Sequence, residues 1–163
     1  MQPSIPRIVS SALVLGLAGP APAGATVYTV PSPGTPTIAS AFALATGDDL
    51  VEVLPGTYAE HDLNVTCSIR GTGGADQTIV DAERLGQVFR LTSGSDLSIE
   101  GLTLRNGLGD AGGAIEQQSP QNLVVRDCVF EANEAAFGGA IYTVDFTDYP
   151  VQVIGVRFEG NQA

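Results

Sequence analysis

Short runs of alternating apolar and polar residues recur at nearly constant spacing in the second half of the chain. The first set of apolar positions, within residues 97–115, is Leu97, Ile99, Leu102, Leu104, Ala114 and Ile115. It is repeated in full as Leu123, Val125, Cys128, Phe130, Ala140 and Ile141, and in part as Val151, Val153, Val156 and Phe158. Alternation places successive side chains on opposite faces of a β-strand. The repeat therefore predicts an all-β solenoid of about four stacked coils, each burying its inward residues against the next.

A short helical pattern precedes the repeats. Ile38, Phe42 and Ala45 are spaced i, i+4, i+7, Thr37 is a favourable N-cap, and Gly47 is a favourable stop. Residues 26–30 predict a first strand, and the proline-rich residues 31–36 a stiff link. Because an amphipathic helix needs an apolar surface to cover, we expect this one to cap the N-terminal end of the solenoid.

Residues 1–25 have the pattern of a signal peptide. Arg7 supplies the basic region, residues 8–17 an apolar stretch too short to span a bilayer, and residues 21–25 two small-residue cleavage sites. A buried N-terminal helix is the disfavoured alternative, because Pro20 and Pro22 would break it. We therefore expect a protein that is secreted or held at the cell surface, with a mature domain covering residues 26–163.

The last repeat stops soon after Phe158, where the two earlier repeats continue into a Gly-Gly pair. An open end of a solenoid exposes its core and a row of unpaired backbone groups. The sequence thus predicts a domain that is incomplete at its C-terminus. It also predicts self-association through the uncapped C-terminal coil.

Charge narrows the choice of partners. The net charge is −11, and all seven basic residues are Arg. A surface this acidic repels nucleic acid and anionic lipid, and it favours a cationic partner or Ca²⁺. The 44% apolar and 15% charged residues are typical of one folded domain.

Residues from the predicted helix onward resemble the right-handed parallel β-helix, or pectin-lyase-like, superfamily. The matching positions are Thr37, Ile38, Ala41 and Ala45, then Gly47, Asp48, Leu50, Val53, Pro55, Gly56, Thr57 and Tyr58, then Leu63, Val65, Ile69, Arg70 and Gly71, then Thr78, Ile79, Val80 and Asp81, then Val88 and Phe89, and then residues 97–107. This resemblance covers nearly all of the mature chain. It implies a right-handed parallel β-helix with an N-terminal capping α-helix.

Two pairs of tetrapeptides are similar to the GGA[ILV] and FxxN repeats of the chlamydial polymorphic outer-membrane proteins. They are residues 112–115 with 138–141, and residues 130–133 with 158–161. The first coil departs from the pattern, since the third residue after Leu104 is Gly107 instead of Asn. Physically, each Gly-Gly pair indicates one turn repeated in two coils, and Asn133 and Asn161 indicate a second, hydrogen-bonded turn. The resemblance implies a surface-exposed protein involved in adhesion, with a carbohydrate or a host cell-surface protein as partner.

Catalytic side-chain types occur without forming a recognisable set. Six charged residues are expected to face outward, namely Asp81, Glu83, Glu100, Arg105, Arg126 and Asp127. Inverting glycosidases need two carboxylates about 6.5 to 9.5 Å apart, and lyases of this shape need a basic residue beside bound Ca²⁺. His61, the only histidine, is predicted to lie in an exposed loop, and Asp48 and Asp49 to form a turn. The sequence therefore predicts a structural or adhesion module, with a polysaccharide-active β-helix enzyme as the alternative.

No catalytic, cofactor-binding or metal-binding residue is predicted. Residues 71–76 are similar to the glycine-rich nonapeptide that binds Ca²⁺, but the motif occurs once and is interpreted as a loop. Calcium binding therefore has no supporting repeat, and we expect no cofactor. Residues 64–66 form a glycosylation sequon whose use depends on the source organism.

The two cysteines are expected to be buried free thiols. Aligning residues 67–70 with 102–105 and 128–131 puts Cys67, Leu102 and Cys128 in one inward column on three successive coils. Two strand spacings separate Cys67 from Cys128 by about 9.6 Å, beyond the limit of about 7 Å for a disulfide. A different register would turn Cys67 outward and make it reactive.

Overall fold

Parallel strands wind into a right-handed β-helix of about five coils, one more than the repeat pattern predicts. The computed structural model describes residues 24–92, 94–144 and 148–163. The additional coil comes from residues 27–65, whose strands do not follow the regular spacing of the later repeats. The predicted signal peptide lies almost wholly outside the described residues.

The described chain contains one helix and seventeen short strands. Their order is β1 Val27–Val30, α1 Ile38–Phe42, β2 Gly47–Val53, β3 Gly56–Ala59, β4 Leu63–Val65, β5 Cys67–Gly71, β6 Thr78–Asp81, β7 Phe89–Leu91, β8 Leu97–Glu100, β9 Thr103–Arg105, β10 Leu108–Ala111, β11 Ile115–Gln117, β12 Leu123–Arg126, β13 Val129–Glu131, β14 Glu134–Phe137, β15 Ile141–Thr143, β16 Val151–Ile154 and β17 Arg157–Glu159. Within these residues, no helix is long and apolar enough to cross a bilayer.

Four parallel sheets form the walls of the solenoid. Sheet A has the order β1-β2-β5-β8-β12-β16, sheet B β17-β13-β9-β6-β3, sheet C β15-β11-β7-β4, and sheet D β10-β14. Each coil adds one strand to several of these walls, so successive coils pair in parallel. The walls enclose a continuous apolar core that runs the length of the solenoid.

The predicted repeats pair in the expected register. In sheet A, Leu97 pairs with Leu123, which pairs in turn with Val151 on the next coil. In sheet B, Leu104 pairs with Phe130, which pairs in turn with Phe158. Leu97, Leu104, Leu123 and Phe130 are almost fully buried. The inward assignment is therefore confirmed for these four positions, whereas Val153 and Phe158 of the third repeat are about half exposed.

Helix α1 covers the N-terminal end of the core, as predicted. The Thr37 side chain accepts a hydrogen bond from the Ser40 amide, and Ile38 and Phe42 are buried. The Phe42 ring packs edge-on against Phe89, with ring centroids 6.3 Å apart. The predicted stop at Gly47 is wrong, because α1 ends at Phe42 and Gly47 starts β2 with a φ of +39°.

Glycine and asparagine form the two predicted turns. Gly112 and Gly138 have φ values of +61° and +60°, the left-handed region that glycine enters without strain. Asn133 donates to the Leu104 carbonyl at 3.0 Å, and Asn161 donates to the Phe130 carbonyl at 2.8 Å. The Asn161 side-chain oxygen accepts from the Asn133 amide at 3.0 Å, which links adjacent coils. These side chains therefore hold the turn, as expected.

The predicted cysteine column is wrong, although both thiols are free and buried. Cys67 lies in β5 of sheet A, whereas Cys128 precedes β13 of sheet B, so the two cysteines lie on different walls. The alignment matched Ile69 with Leu104, but Ile69 pairs with Ile99. It failed because the strands of both walls have the same apolar alternation, which does not distinguish one wall from the other.

Phe158 departs from its predicted interior position. Its ring stacks on Phe130 with centroids 5.1 Å apart and planes inclined by 14°. Phe130 is completely buried, whereas Phe158 is 51% exposed because it belongs to the last described coil. The predicted stacking of Phe158 on Phe130 is confirmed, whereas the predicted burial of Phe158 is wrong.

Candidate functional site

The outer face of sheet A carries a row of alternating charges. The register aligns four outward side chains on successive strands, which are Glu52, Arg70, Glu100 and Arg126. Arg70 Nη2 donates to Glu52 Oε1, and both side chains are about three-quarters buried. Neighbouring strands are about 4.8 Å apart, so the row presents charges of alternating sign at a fixed interval. We call these four residues the charge row.

The sequence singled out Glu100 and Arg126 but did not place them side by side. Their shared register follows from the repeat that also aligns Leu97 with Leu123. Glu52 and Arg70 were missed as members of the row because the early coils have different lengths. The step from Arg70 to Glu100 is longer than the step from Glu100 to Arg126, and it needs the structure to establish it.

A second polar cluster lies on the outer face of sheet C around Arg90. Its members are Asp62, Gln87, Arg90 and Glu116, which we call the Arg90 cluster. Arg90 Nη2 donates to Gln87 Oε1 at 2.7 Å and lies 3.7 Å from Asp62 Oδ1. Arg90 Nε lies 3.5 Å from Glu116 Oε2 on the following coil. The arginine is thus flanked by a carboxylate on either side.

Sequence analysis assigned none of these four residues to a site. Arg90 and Glu116 pair directly in sheet C, and each follows the apolar residue that begins its strand. The repeat that aligned the later coils therefore also indicated that these two residues are neighbours. His61 lies beside the cluster, where its Nδ1 is 2.9 Å from Asp62 Oδ2. Its predicted position in an exposed loop is confirmed.

Asp81 is held in a third cluster, on the outer side of sheet B. Its carboxylate accepts from Arg105 Nε at 2.7 Å, from Asn106 Nδ2 at 2.9 Å and from the Glu83 amide at 2.9 Å. Burial opposes ionisation, but the hydrogen bonds from Asn106, Glu83 and Arg105 outweigh it and lower the pKa of Asp81. Asp81 was expected to face outward, and it pairs with Arg105 on the outer side of the wall. It is nevertheless only 9% exposed, because its hydrogen bonds hold it against the adjacent turn.

The remaining outward residues are not brought into one site. Asp127 is exposed in the turn between β12 and β13, and Glu83 contributes its backbone amide to the Asp81 cluster. Asp49 accepts from the Thr26 and Thr46 amides at 2.7 and 2.9 Å, and these bonds lower its pKa. Asp48 and Asp49 were predicted to form a turn, but both lie within β2, at the point where its pairing with β5 shifts register.

The glycine-rich residues 71–76 form a loop against sheet B. The Thr103 hydroxyl donates to the Ala75 carbonyl at 2.7 Å, so the loop covers the outer side of β9. Within the described part of the chain, no group of three or more His, Cys, Asp or Glu side chains has the spacing of a metal site. Glu52 and Asp81 accept hydrogen bonds from Arg, Asn or backbone donors, whereas Asp62 and Glu116 lie 3.7 and 3.5 Å from Arg90 nitrogen atoms.

Two hollows lie toward the C-terminal end. One of about 590 Å³ is lined by the last coil, including Ile141, Val151, Val153 and Phe158. The other, of about 440 Å³, lies between the loop tip at Ala75 and Asp76 and the turn at Gly155 to Arg157. Neither hollow is lined by residues of the charge row or of the Arg90 cluster.

Comparison of the chain with protein-family models, with curated proteins and with solved structures finds no match. The function must therefore be argued from these surfaces.

Proposed function

We propose that the chain is an exported β-helical adhesion and structural module, secreted or held at the cell surface. We also propose that its β-helix belongs to the pectin-lyase-like superfamily and that its repeats are of the kind found in the chlamydial polymorphic outer-membrane proteins. The observation that carries the proposal is the charge row on the six-stranded sheet A. A flat wall of parallel strands holds these side chains about 4.8 Å apart along the solenoid.

Such a row suits an extended partner with regularly spaced polar groups. Its alternating signs cancel locally, whereas the chain as a whole has a charge of −11. A neutral or cationic polymer can approach this face without the repulsion that nucleic acid would meet. A carbohydrate or a cell-surface protein is therefore the proposed partner.

Adhesion is tested with beads coated with the full chain. Retention is measured on xylan, polygalacturonate, chitosan and cultured epithelial cells. The variant Glu100→Arg with Arg126→Glu keeps the net charge but exchanges the last two charges of the row, which places a second positive charge beside Arg70 and breaks the alternation. Retention should therefore fall at least about tenfold, equivalent to about 1.4 kcal/mol.

A matched control uses the exposed ion pair Arg84–Glu134, whose atoms are 2.5 Å apart on another face. The exchange Arg84→Glu with Glu134→Arg also keeps the net charge and should leave retention unchanged. Equal losses in both double variants, or no retention of the unaltered chain on any of the four surfaces, would contradict the proposal.

Export is tested separately, by fractionating cells that produce the full chain. Cleavage after Ala23 or Ala25 gives a protein that begins at Gly24 or Thr26, just before β1. N-terminal sequencing of the protein in the medium or on the surface identifies this end. Recovery of only the intact 16.7 kDa chain from the cytosol would argue against export.

A polysaccharide-active enzyme is the second candidate, favoured by the Arg90 cluster. Glycosidases and lyases of this shape combine carboxylates with a basic residue on an outer face. Incubation with polygalacturonate, followed by assays of unsaturated products and reducing ends, distinguishes the two functions. Turnover above that of heat-inactivated protein, lost in Glu116→Gln, would support the enzyme and replace the adhesion proposal.

A further inference from the structure

The charge row has a symmetry of its own, because reversing its order replaces every charge by one of opposite sign. Along the solenoid the row runs Glu52, Arg70, Glu100 and Arg126. Its two middle charges lie on β5 and β8, which are also the two middle strands of the six in sheet A. A second row laid against the first in the opposite direction therefore meets opposite charges at all four positions.

The outward residues two positions earlier on the same strands share this symmetry. They are the half-buried residues Leu50, Ser68, Ser98 and Val124. Ser68 Oγ accepts from the Ser98 amide at 3.0 Å, so the two serines lie side by side in the middle of the face. Reversal places Leu50 opposite Val124 and the two serines opposite each other. Apolar side chains thus meet apolar side chains, and hydroxyls meet hydroxyls.

Half of the charge row has no charged partner within the described part of the chain. Glu52 and Arg70 pair with each other. Among the described residues, no ion pair of 4.0 Å or less involves Glu100 or Arg126. In the reversed contact, Glu100 faces Arg70 of the second copy, and Arg126 faces its Glu52. Each of these two charges then gains a neighbour of opposite sign.

We infer that the outer face of sheet A binds the same face of a second copy of the chain. The twofold axis lies between the two faces and runs parallel to the strands, midway between β5 and β8. It keeps the strands of the two sheets aligned, as in other stacked sheets, and it makes the two solenoids antiparallel. A twofold axis along the solenoid would instead put each charge opposite an uncharged residue or its own copy. Charge complementarity therefore favours the antiparallel arrangement.

The contact is expected to be weak for a single pair of copies. Each copy carries a net charge of −11, so the copies repel each other on most approaches, whereas the charge row sums to zero. Six strands about 4.8 Å apart and four residues long cover roughly 400 Å² per copy, about half of the area in a stable complex. Many copies displayed on two facing surfaces would bind strongly together.

This inference rests on the proposed function in one respect, which is the display of the chain on a cell surface. Antiparallel solenoids suit copies that are held by two neighbouring cells and point toward each other. The cell-surface protein that the charge row binds is then the chain itself.

The test is the mass of the full chain in solution, measured by sedimentation velocity and light scattering over a range of concentrations. The mass should rise from 16.7 kDa toward twice that value and stop there. Glu100→Arg with Arg126→Glu makes all four facing pairs like-charged at the same net charge, so the dissociation constant should rise at least about tenfold. The matched control, Arg84→Glu with Glu134→Arg, exchanges an ion pair on another face and should leave the dimer unchanged.

A complementary variant, Glu52→Arg with Arg70→Glu, tests the facing pairs directly. It keeps the ion pair within the chain with its signs exchanged. Alone, it also has like charges at all four facing positions and should be monomeric. Mixed with the variant of the preceding test, it meets opposite charges at all four positions, so the mixture should dimerise. Circular dichroism checks that both variants keep their strands, since an unfolded variant could not restore the dimer.

The inference is overturned by unaltered chain that stays at 16.7 kDa, by a dimer that survives the exchange at Glu100 and Arg126, or by an equal loss in the control. Folded variants that stay monomeric when mixed would also overturn it. If the complementary variant unfolds, the exchange at Glu100 and Arg126 and its control decide alone. Retention on the three polymers and on epithelial cells is measured without a second copy facing the chain, so failure of the proposed function is scored separately.

Discussion

Phe130 and Glu131 are neighbours in β13 and face opposite sides of the solenoid wall. Phe130 is completely buried and stacks on Phe158, whereas Glu131 lies outward beside Arg105 in the register of sheet B. One residue of displacement along a strand therefore separates a core position from a surface position. This makes the pair a direct probe of the inward assignment.

Phe130→Ala is expected to destabilise the protein by about 3 to 5 kcal/mol, because it leaves a cavity between Leu104 and Phe158. That is a large part of the stability of a domain of this size. Glu131→Ala, which changes an outward side chain, should alter stability by less than about 0.5 kcal/mol. Urea denaturation of both variants measures the difference. Equal midpoints would contradict the assigned faces.

The two thiols are expected to be inert in the folded protein and to make stability sensitive to alkaline pH. Burial raises the pKa of Cys67 and of Cys128 from 9.0 to about 11. A thiol reagent should label neither cysteine in the native protein and both after unfolding. A mass two units low, with no titratable thiol in denaturant, would instead show a disulfide.

The sign of the pH effect follows from the raised pKa. The folded state retains the thiol protons up to about pH 11, while the unfolded chain releases them near pH 9. The free energy of unfolding should therefore fall as the pH rises from 9 to 11. The double variant Cys67→Ala with Cys128→Ala should lose less stability over this interval than the unaltered protein. Parallel pH profiles for the two proteins would refute this linkage.

At the scale of elements, α1 depends on a carboxylate from outside the helix. Glu60, in the segment between β3 and β4, accepts from the Ile38 amide at 2.8 Å and from the Ala39 amide at 2.9 Å. These are amides of the first turn, which lack partners inside the helix. Glu60 therefore fastens the capping helix to the coil that it covers.

Glu60→Ala is expected to destabilise the protein by about 0.5 to 2 kcal/mol, the usual cost of removing an N-terminal cap. Glu60→Gln retains one oxygen acceptor and should lose less. Thermal unfolding followed by circular dichroism measures both effects. Asp76→Ala is a suitable control, since Asp76 is an exposed acidic residue in a distant loop. A larger loss in this control than in Glu60→Ala would contradict the capping role.

The later coils could be predicted because their spacing is regular. The step from Leu97 to Leu123 has the same length as the step from Leu104 to Phe130, so apolar alternation alone specifies the register. The early coils contain loops of other lengths, and Cys67 was consequently assigned to the wrong wall. The alternation of apolar and polar residues in one sequence predicts which side chains face inward. It does not predict which wall a strand joins, because that depends on the lengths of the intervening turns.

The candidate sites were less predictable than the fold. Arg90 and Glu116 occupy equivalent positions of the repeat, and their pairing could have been found from it. Asp62 joins them from a turn, and Gln87 from the segment before β7, where no periodicity specifies the side-chain direction. Outward side chains do not take part in the apolar alternation. The sequence pattern therefore does not predict which of them lie together, and only the strand register of the folded protein shows it.

At the scale of the whole molecule, local stability is expected to differ between the middle coils and the last described strands. Each coil contacts only its neighbours. Among the described residues β8 and β9 pair on both sides, whereas β16 and β17 pair on one side. Amides of β8 and β9 should exchange with deuterium more slowly than those of β16 and β17. Native-state hydrogen exchange of the given chain checks this. Uniform protection along the solenoid would contradict it.

The lateral hydrogen bonding of the strands also determines how the solenoid responds to a pulling force. A load applied along the solenoid axis acts across the strand edges, so it opens the ladders of one coil before it reaches the next. One coil spans the step from Leu97 to Leu123, and a released coil of that length extends by about 90 Å. A solenoid pulled along its axis should therefore lengthen in successive steps, and such a solenoid absorbs mechanical strain gradually.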